Sequence, residues 1–92
     1  VNLRNKNFKE LPYKFGEVNG YFTLSNNKNL ISLKNCPDQV ETWFGIDGCN
    51  KLDSLEGCPK KIRNNVLCRE CKRQFTKEEV ESLCEVKGDI WC

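Results

Sequence analysis

The sequence predicts a mostly β fold with one short helix, arranged as a small solenoid with a parallel strand ladder and a C-terminal helical cap. Three observations support this prediction: apolar residues recur with one fixed period, each repeat contains a short apolar alternation, and a helix-capping motif lies late in the chain. A fixed period of this kind is typical of repeat proteins, in which each unit buries its apolar edge by stacking on its neighbours.

The repeat is 22 residues long and is clearest between residues 30 and 71. The residues that return after 22 positions are Leu30 and Leu52, Leu33 and Leu55, Cys36 and Cys58, Pro37 and Pro59, Val40 and Ile62, Phe44 and Val66, Ile46 and Cys68, and Cys49 and Cys71. Extended forwards, the same register places Cys84 at the position of Ile62 and Ile90 at the position of Cys68. We therefore expect successive coils of equal length.

The whole chain is long enough for one domain with a modest core, which we assign to residues 1–92. We divide it into an N-terminal turn at 1–17, repeats at 18–39, 40–61 and 62–83, and a C-terminal cap at 73–92. The first turn is less regular, because Lys14 stands where the repeat predicts an apolar residue. A polar cap is expected at the end of a solenoid, since that end faces solvent.

Each repeat contains a short alternation of apolar and other residues. The three alternations are Phe22-x-Leu24, Phe44-x-Ile46 and Val66-x-Cys68. Alternation with a period of two predicts a strand with one buried face. Three residues after each strand comes Asn27, Cys49 or Cys71.

This pattern resembles the leucine-rich repeat, L-x-x-L-x-L-x-x-N/C-x-L. The Leu-x-Ser-Leu-x-x-Cys-Pro stretches at 30–37 and 52–59 are similar to those of small repeat proteins of bacteria and their viruses. The resemblance implies that the side chains of Asn27, Cys49 and Cys71 bond to backbone groups where the chain leaves the strand. It also implies a partner surface on the outward strand face, and a role as a small virus-encoded inhibitor or modulator of a host protein, such as a defence system, in the host cytoplasm.

A helix start follows the last clear repeat. Thr76 and Glu79 form a capping box, and Phe75 and Val80 are placed as the hydrophobic staple around it. Since Val80, Leu83 and Cys84 would give the helix one apolar face, we predict a helix at about 76–84, followed by a last strand.

Seven cysteines admit three interpretations. A zinc site would use Cys68, Cys71, Cys84 and Cys92, but Cys84 and Cys92 are widely spaced and the repeat already accounts for Cys68 and Cys71. Disulfides would suit a secreted domain, although the odd count is awkward. The interpretation that we favour is free thiols, buried as small hydrophobic groups in a reducing cytoplasm, with no cofactor and no metal.

Catalysis has little support in this sequence, and we expect a protein that is not an enzyme. The absence of His excludes Cys-His and Ser-His nucleophiles, and no phosphate-binding glycine loop is present. The net charge is only +2, from 15 basic and 13 acidic residues, so no strongly charged partner is indicated. No apolar segment is long enough to span a membrane.

The outward strand face is the candidate partner-binding site. If Phe22 and Leu24 point inward, then Tyr21, Thr23 and Ser25 point outward, and the same holds in the later coils. The residues selected on this face are Tyr21, Trp43, Asp47, Leu67, Arg69 and Trp91. Aromatic and Arg residues are enriched in binding hot spots, so we predict a protein partner.

Two other functions remain open at this point. The third repeat has a local basic bias, which would suit a zinc-stabilised nucleic-acid-binding module. The basic residues in question are Lys60, Lys61, Arg63, Arg69, Lys72 and Arg73. The other alternative is a structural subunit of a larger assembly, in which neighbours would cover the strand edge or the solenoid ends.

Overall fold

A computed structural model describes residues 1–92. The chain forms a solenoid with parallel strands and one short helix, as the sequence predicts, and the strands make two four-stranded ladders. The first ladder contains β1 (Glu17–Val18), β3 (Gln39–Val40), β5 (Lys61–Ile62) and β7 (Glu85–Val86). The second contains β2 (Phe22–Thr23), β4 (Phe44–Gly45), β6 (Val66–Leu67) and β8 (Ile90–Trp91). We number the coils by these strands, so that coil 1 contains β1 and β2, and coil 4 contains β7 and β8.

The first ladder was not predicted. Its strands contribute one inward apolar residue each, Val18, Val40, Ile62 or Val86, and the other residue of each pair is polar. With only one apolar residue in each strand, the sequence shows no alternation of apolar and polar residues that would predict these strands. The Val, Val and Ile of coils 1 to 3 do have the β-branched side chains that strands favour.

Coils 1 to 3 keep the predicted register of 22 residues, as in the pairing of Phe22 with Phe44. The last step is 24 residues long, because Val66 pairs with Ile90. The predicted places of Cys84 and Ile90 are therefore wrong, and Val86 lies beside Ile62. The helix α1 (Lys77–Leu83) lies in this connection. A helix advances only about 1.5 Å per residue, against about 3.3 Å for a strand, so more residues are needed to close the coil.

The core lies inside the coils as one continuous cluster of 19 buried residues. Leu24, Ile46 and Cys68 are each the residue that follows a strand of the second ladder, and all three are buried. The rings of Phe22 and Phe44 stack in consecutive coils, with centroids 6.3 Å apart. The inward assignment of these positions is confirmed.

The Asn and Cys residues after the strands of the second ladder each bond to a carbonyl oxygen of the preceding coil, and Asn27 also bonds to one within its own coil. The Asn27 amide donates to the carbonyl oxygens of Leu3 and Leu24, at 2.8 and 2.7 Å. The Cys49 thiol donates to the Leu24 oxygen and the Cys71 thiol to the Ile46 oxygen, at 3.2 and 3.4 Å. These are the side chain-to-backbone bonds that the resemblance implies, so the position serves as a turn cap in every complete coil.

The irregular first turn still completes a coil. Asn2 pairs with Thr23 in a parallel bridge, which extends the second ladder by one position. The Lys14 ammonium donates to the Cys36 carbonyl oxygen at 2.6 Å and to Asp38 at 2.9 Å. Lys14 therefore caps this end of the solenoid with a charged side chain, at the position where later coils have a cysteine.

Helix α1 begins and ends as the sequence indicates, with Thr76 as the N-cap and Cys84 as the C-cap. The capping box of Thr76 and Glu79 is confirmed, and Phe75 and Val80 are both buried. Leu83 is 49% exposed, so its predicted place on the apolar face is wrong. The helix has only seven residues. No helix in the structure is long and apolar enough to cross a membrane.

Candidate interaction surface

The outward side of the second ladder, which we call the ladder face, carries one row of residues in strict register. This row consists of Thr23, Gly45, Leu67 and Trp91. Adjacent members belong to hydrogen-bonded strands and lie about 4.8 Å apart along the ladder. The face is therefore a rigid surface whose side chains are fixed by the strand pairing.

Tyr21 and Trp43 lie at one end of the ladder face as a stacked pair. Their ring centroids are 4.9 Å apart and the ring planes differ by 7°. The Trp43 ring also lies over Gly45, since a Cβ atom on that glycine would be only 2.8 Å from Cζ3 of Trp43. The missing side chain of Gly45 thus makes room for the indole, which occupies the second position of the row.

Thr23 and Ser25 are buried, although their outward direction predicted exposure. A Cβ atom on Gly45 would meet the Trp43 ring and the hydroxyls of both residues within 3.3 Å, so all three side chains surround this glycine. The two hydroxyls bond to each other at 2.9 Å. The sequence could not show this, because the burial comes from a ring that belongs to the next coil.

Leu67 and Trp91 form the more accessible end of the ladder face. They are direct register partners in β6 and β8. Leu67 is half-buried, whereas the Trp91 side chain is 51% exposed. Together with the indole over Gly45, they make one apolar row, and Tyr21 extends it by stacking on Trp43.

The backbone around Trp91 is held by groups that the sequence did not single out. The Asn65 side-chain oxygen accepts from the Asp89 amide at 2.9 Å, and the Cys68 amide donates to the Trp91 carbonyl at 2.8 Å. A Cβ atom on Gly88 would lie 2.5 Å from that same Asn65 oxygen. Asn65 and Gly88 thus position β8, and their roles depend on a contact between coils.

Asp47 and Arg69, the predicted charged members, bond to each other. The Arg69 guanidinium lies 3.0 Å from the Asp47 carboxylate, which also accepts the Arg69 backbone amide at 2.6 Å. The Asp47 carboxylate raises the pKa of Arg69, because it accepts a hydrogen bond from the guanidinium and carries the opposite charge. The pair therefore marks the edge of the ladder face, with the Arg69 side chain 59% exposed.

The four cysteines of the possible zinc site do not come together. Cys68 forms a disulfide with Cys92, which is its register neighbour after the strands β6 and β8. Cys84 lies against Cys58, and Cys71 donates to the Ile46 carbonyl oxygen. The zinc set is therefore wrong as a cluster. The expectation of free thiols is also wrong for Cys68 and Cys92, because the closing strand brings them side by side.

The other five cysteines are free thiols. Burial raises the pKa of Cys36 and Cys49, and it raises the pKa of Cys71 to about 12. These three thiols are therefore protonated near neutral pH. A protonated thiol can pack as a small apolar group and can donate a hydrogen bond.

Most of the basic residues behind the nucleic-acid alternative are engaged with carboxylates. The ion pairs are Arg63 with Glu41, Arg69 with Asp47, Lys72 with Asp53, and Arg73 with Glu79. This accounts for four of the six basic residues and leaves Lys60 and Lys61 without such a pair. The basic bias of the sequence therefore becomes a surface of mixed charge.

Comparison with protein-family models, with curated proteins and with solved structures found no match to this chain. The fold and the face define a parallel-strand β-solenoid with a spacing of about 22 residues and an apolar, aromatic strand face.

Proposed function

We propose that this protein is a non-enzymatic protein-binding module that recognises its partner with the ladder face. The observation that carries the proposal is the exposed Trp91 beside Leu67, at the end of an apolar row that continues to the stacked pair of Tyr21 and Trp43. Single exposed aromatic residues are ordinary on protein surfaces. Four large apolar side chains aligned on one rigid ladder are a more specific feature.

The ladder face has the physical properties of a preorganised binding surface. Its backbone is held by hydrogen bonds between coils, such as that from the Ile46 amide to the Leu67 carbonyl at 2.7 Å. A surface that is ordered before binding loses less conformational entropy when the partner docks. Tryptophan and tyrosine supply a large apolar area with few rotatable bonds, which is why they are frequent in hot spots.

Asp47 and Arg69 would orient the partner. Their ion pair lies at the edge of the face and is partly open to solvent, so its contribution to affinity is small while its charges restrict the docking direction. The resemblance to small repeat proteins of bacteria and their viruses would make the partner a host protein and the effect inhibition or modulation, in the host cytoplasm. That step rests on the resemblance alone.

The test compares Trp91→Ala with Tyr13→Ala, whose side chain is 67% exposed and outside the ladder face. A partner captured by the immobilised wild-type protein is purified, and its dissociation constant is measured for each variant by calorimetry. We expect Trp91→Ala to weaken binding by about 2 kcal/mol or more, which is roughly 30-fold.

Tyr13→Ala should bind within about twofold of the wild type, since it removes a comparable exposed ring from another surface. Circular dichroism melting curves establish that both variants are folded. Equal dissociation constants for the wild type and Trp91→Ala would remove the ladder face as the binding site.

A further inference from the structure

Two free cysteines meet at the junction between coil 2 and the end of helix α1. The Sγ atoms of Cys58 and Cys84 are 2.7 Å apart, although the residues are 26 positions apart in the chain. Cys58 belongs to the Cys-Pro position of the repeat, and Cys84 is the C-cap of α1. A sulfur–sulfur bond is about 2.05 Å long, so a small approach of the side chains would join them.

The two thiols differ in accessibility. Cys58 is half-buried, whereas Cys84 is only 6% exposed. The contact with Cys84 lowers the pKa of Cys58, because a neighbouring thiol can donate a hydrogen bond to the Cys58 thiolate. The same contact and burial raise the pKa of Cys84. The more exposed residue of the pair is thus also the one whose pKa is lowered.

The remaining free cysteine that is not fully buried provides a contrast. Cys71 is half-buried like Cys58, but its thiol donates to the Ile46 carbonyl oxygen and its pKa is raised to about 12. Its repeat neighbour Cys49 directs its own thiol to the Leu24 carbonyl oxygen, so Cys71 has no thiol as a hydrogen-bond partner. Thiolate is the reactive form of cysteine, so similar exposure at Cys71 does not confer similar reactivity.

We propose that Cys58 and Cys84 form a dithiol site that reacts with small disulfides of the glutathione disulfide class, with Cys58 attacking and Cys84 resolving. The Cys58 thiolate attacks one sulfur of glutathione disulfide, a mixed disulfide forms, and one glutathione thiolate leaves and takes up a proton. Cys84 then loses its proton and attacks the Cys58 sulfur, and the second glutathione leaves in the same way. Two protein thiols become one disulfide while one glutathione disulfide becomes two glutathione thiols.

The resulting bond would tie α1 to the body of the solenoid. Together with the Cys68–Cys92 disulfide, it would attach the closing segment at two places: before β7 and after β8. A cross-link of this kind constrains the unfolded chain. We therefore expect the melting temperature to rise by several degrees on oxidation. The site does not depend on the proposed binding function.

The experiment exposes the wild-type protein to glutathione disulfide near neutral pH, with acid quenching at intervals. Remaining thiols are alkylated, and peptide mass mapping reports each cysteine separately. We expect early glutathione adducts on Cys58, followed by a Cys58–Cys84 disulfide. Iodoacetamide should alkylate Cys58 at least about tenfold faster than Cys71, because only the thiolate reacts.

Two variants separate the roles. Cys84→Ser should accumulate the mixed disulfide on Cys58, since the resolving thiol is missing, while the matched control Cys71→Ser should react as the wild type does. The wild-type time course keeps the test decisive if Cys84→Ser does not fold. Equal reactivity of Cys58 and Cys71, or glutathione adducts on Cys58 that never resolve in the wild type, would overturn the proposal.

Discussion

Glu70 lies at a turn of its coil, which we call a corner, where the backbone conformation favours other residue types. Its φ angle is 58°, in the left-handed region. The equivalent corners of the other coils are Asn5, Asn26 and Gly48, with φ angles of 59°, 62° and 76°. Asparagine and glycine adopt this conformation readily, whereas a longer side chain such as Glu loses about 1 kcal/mol or more. Glu70 is therefore a strained residue in an otherwise well-matched set.

Replacing this residue with the type found in the earlier coils should stabilise the fold. We expect Glu70→Asn to raise the free energy of unfolding by about 0.5–1 kcal/mol, because Asn tolerates the left-handed corner and the unfolded chain is little changed. Urea denaturation followed by circular dichroism measures the difference. The control is Glu56→Asn, at an exposed turn residue without a positive φ angle, which should gain nothing. A Glu70→Asn protein no more stable than the wild type would show that the corner carries no strain.

Among the elements, α1 is the one whose start is determined by its own sequence. The Glu79 carboxylate accepts from the Thr76 amide at 3.1 Å and from the Arg73 guanidinium at 2.9 and 2.6 Å. These bonds hold the pKa of Glu79 at about 2, with the contribution of Arg73 the largest. Charged Glu79 therefore connects the helix start to the preceding turn.

This arrangement predicts a specific loss of stability in acid. A Glu in the unfolded chain has a pKa near 4.3, so the contribution of Glu79 is complete above about pH 4.3 and is lost as the pH falls through about 2. In urea unfolding between about pH 5 and about pH 2, the free energy of unfolding should fall less steeply for Glu79→Gln than for the wild type. The matched control is Glu78→Gln, which removes a carboxylate from the same helical turn but leaves the bonds of Glu79 to Thr76 and Arg73 in place. Identical slopes for Glu79→Gln and the wild type would contradict the role of this carboxylate.

At the scale of the whole molecule, stability depends on the stacking of coils. In a solenoid each coil contacts only its neighbours, so a defect in a central coil breaks the core into two parts. Ile46 is in such a position, fully buried between Leu24 of coil 1 and Cys68 of coil 3. The two parts on either side would each be too small to bury a core of their own.

We expect Ile46→Asp to abolish folding, because it buries an unpaired carboxylate inside the coils. Ile46→Val is the control, and it should lower the free energy of unfolding by only about 1 kcal/mol. Circular dichroism and thermal melting distinguish the two results. A cooperative melting transition for Ile46→Asp close to that of the wild type would mean that the inward and outward faces have been exchanged.

Much of the fold was predictable, because the decisive information repeats within the chain. Ile46 and its counterparts, the turn caps at Asn27 and Cys49, and the start of α1 at Thr76 each depend on a residue type and its immediate spacing. The sequence indicates which residues lie along the candidate face but not how their side chains are arranged there. The position of the Trp43 ring over Gly45 and the pairing of Leu67 with Trp91 depend on contacts between coils.

The sequence by itself determined that this chain is a solenoid with a 22-residue spacing, which residues face the core, and where its helix begins. Tertiary structure alone decided the 24-residue closing step, the first ladder, the burial of Thr23, and the pairing of Cys68 with Cys92. The physical reason is that periodic burial is encoded residue by residue. Which residue a side chain contacts in the next coil depends on the length and shape of the helix and turns between the two strands, and these are set by packing across the whole coil.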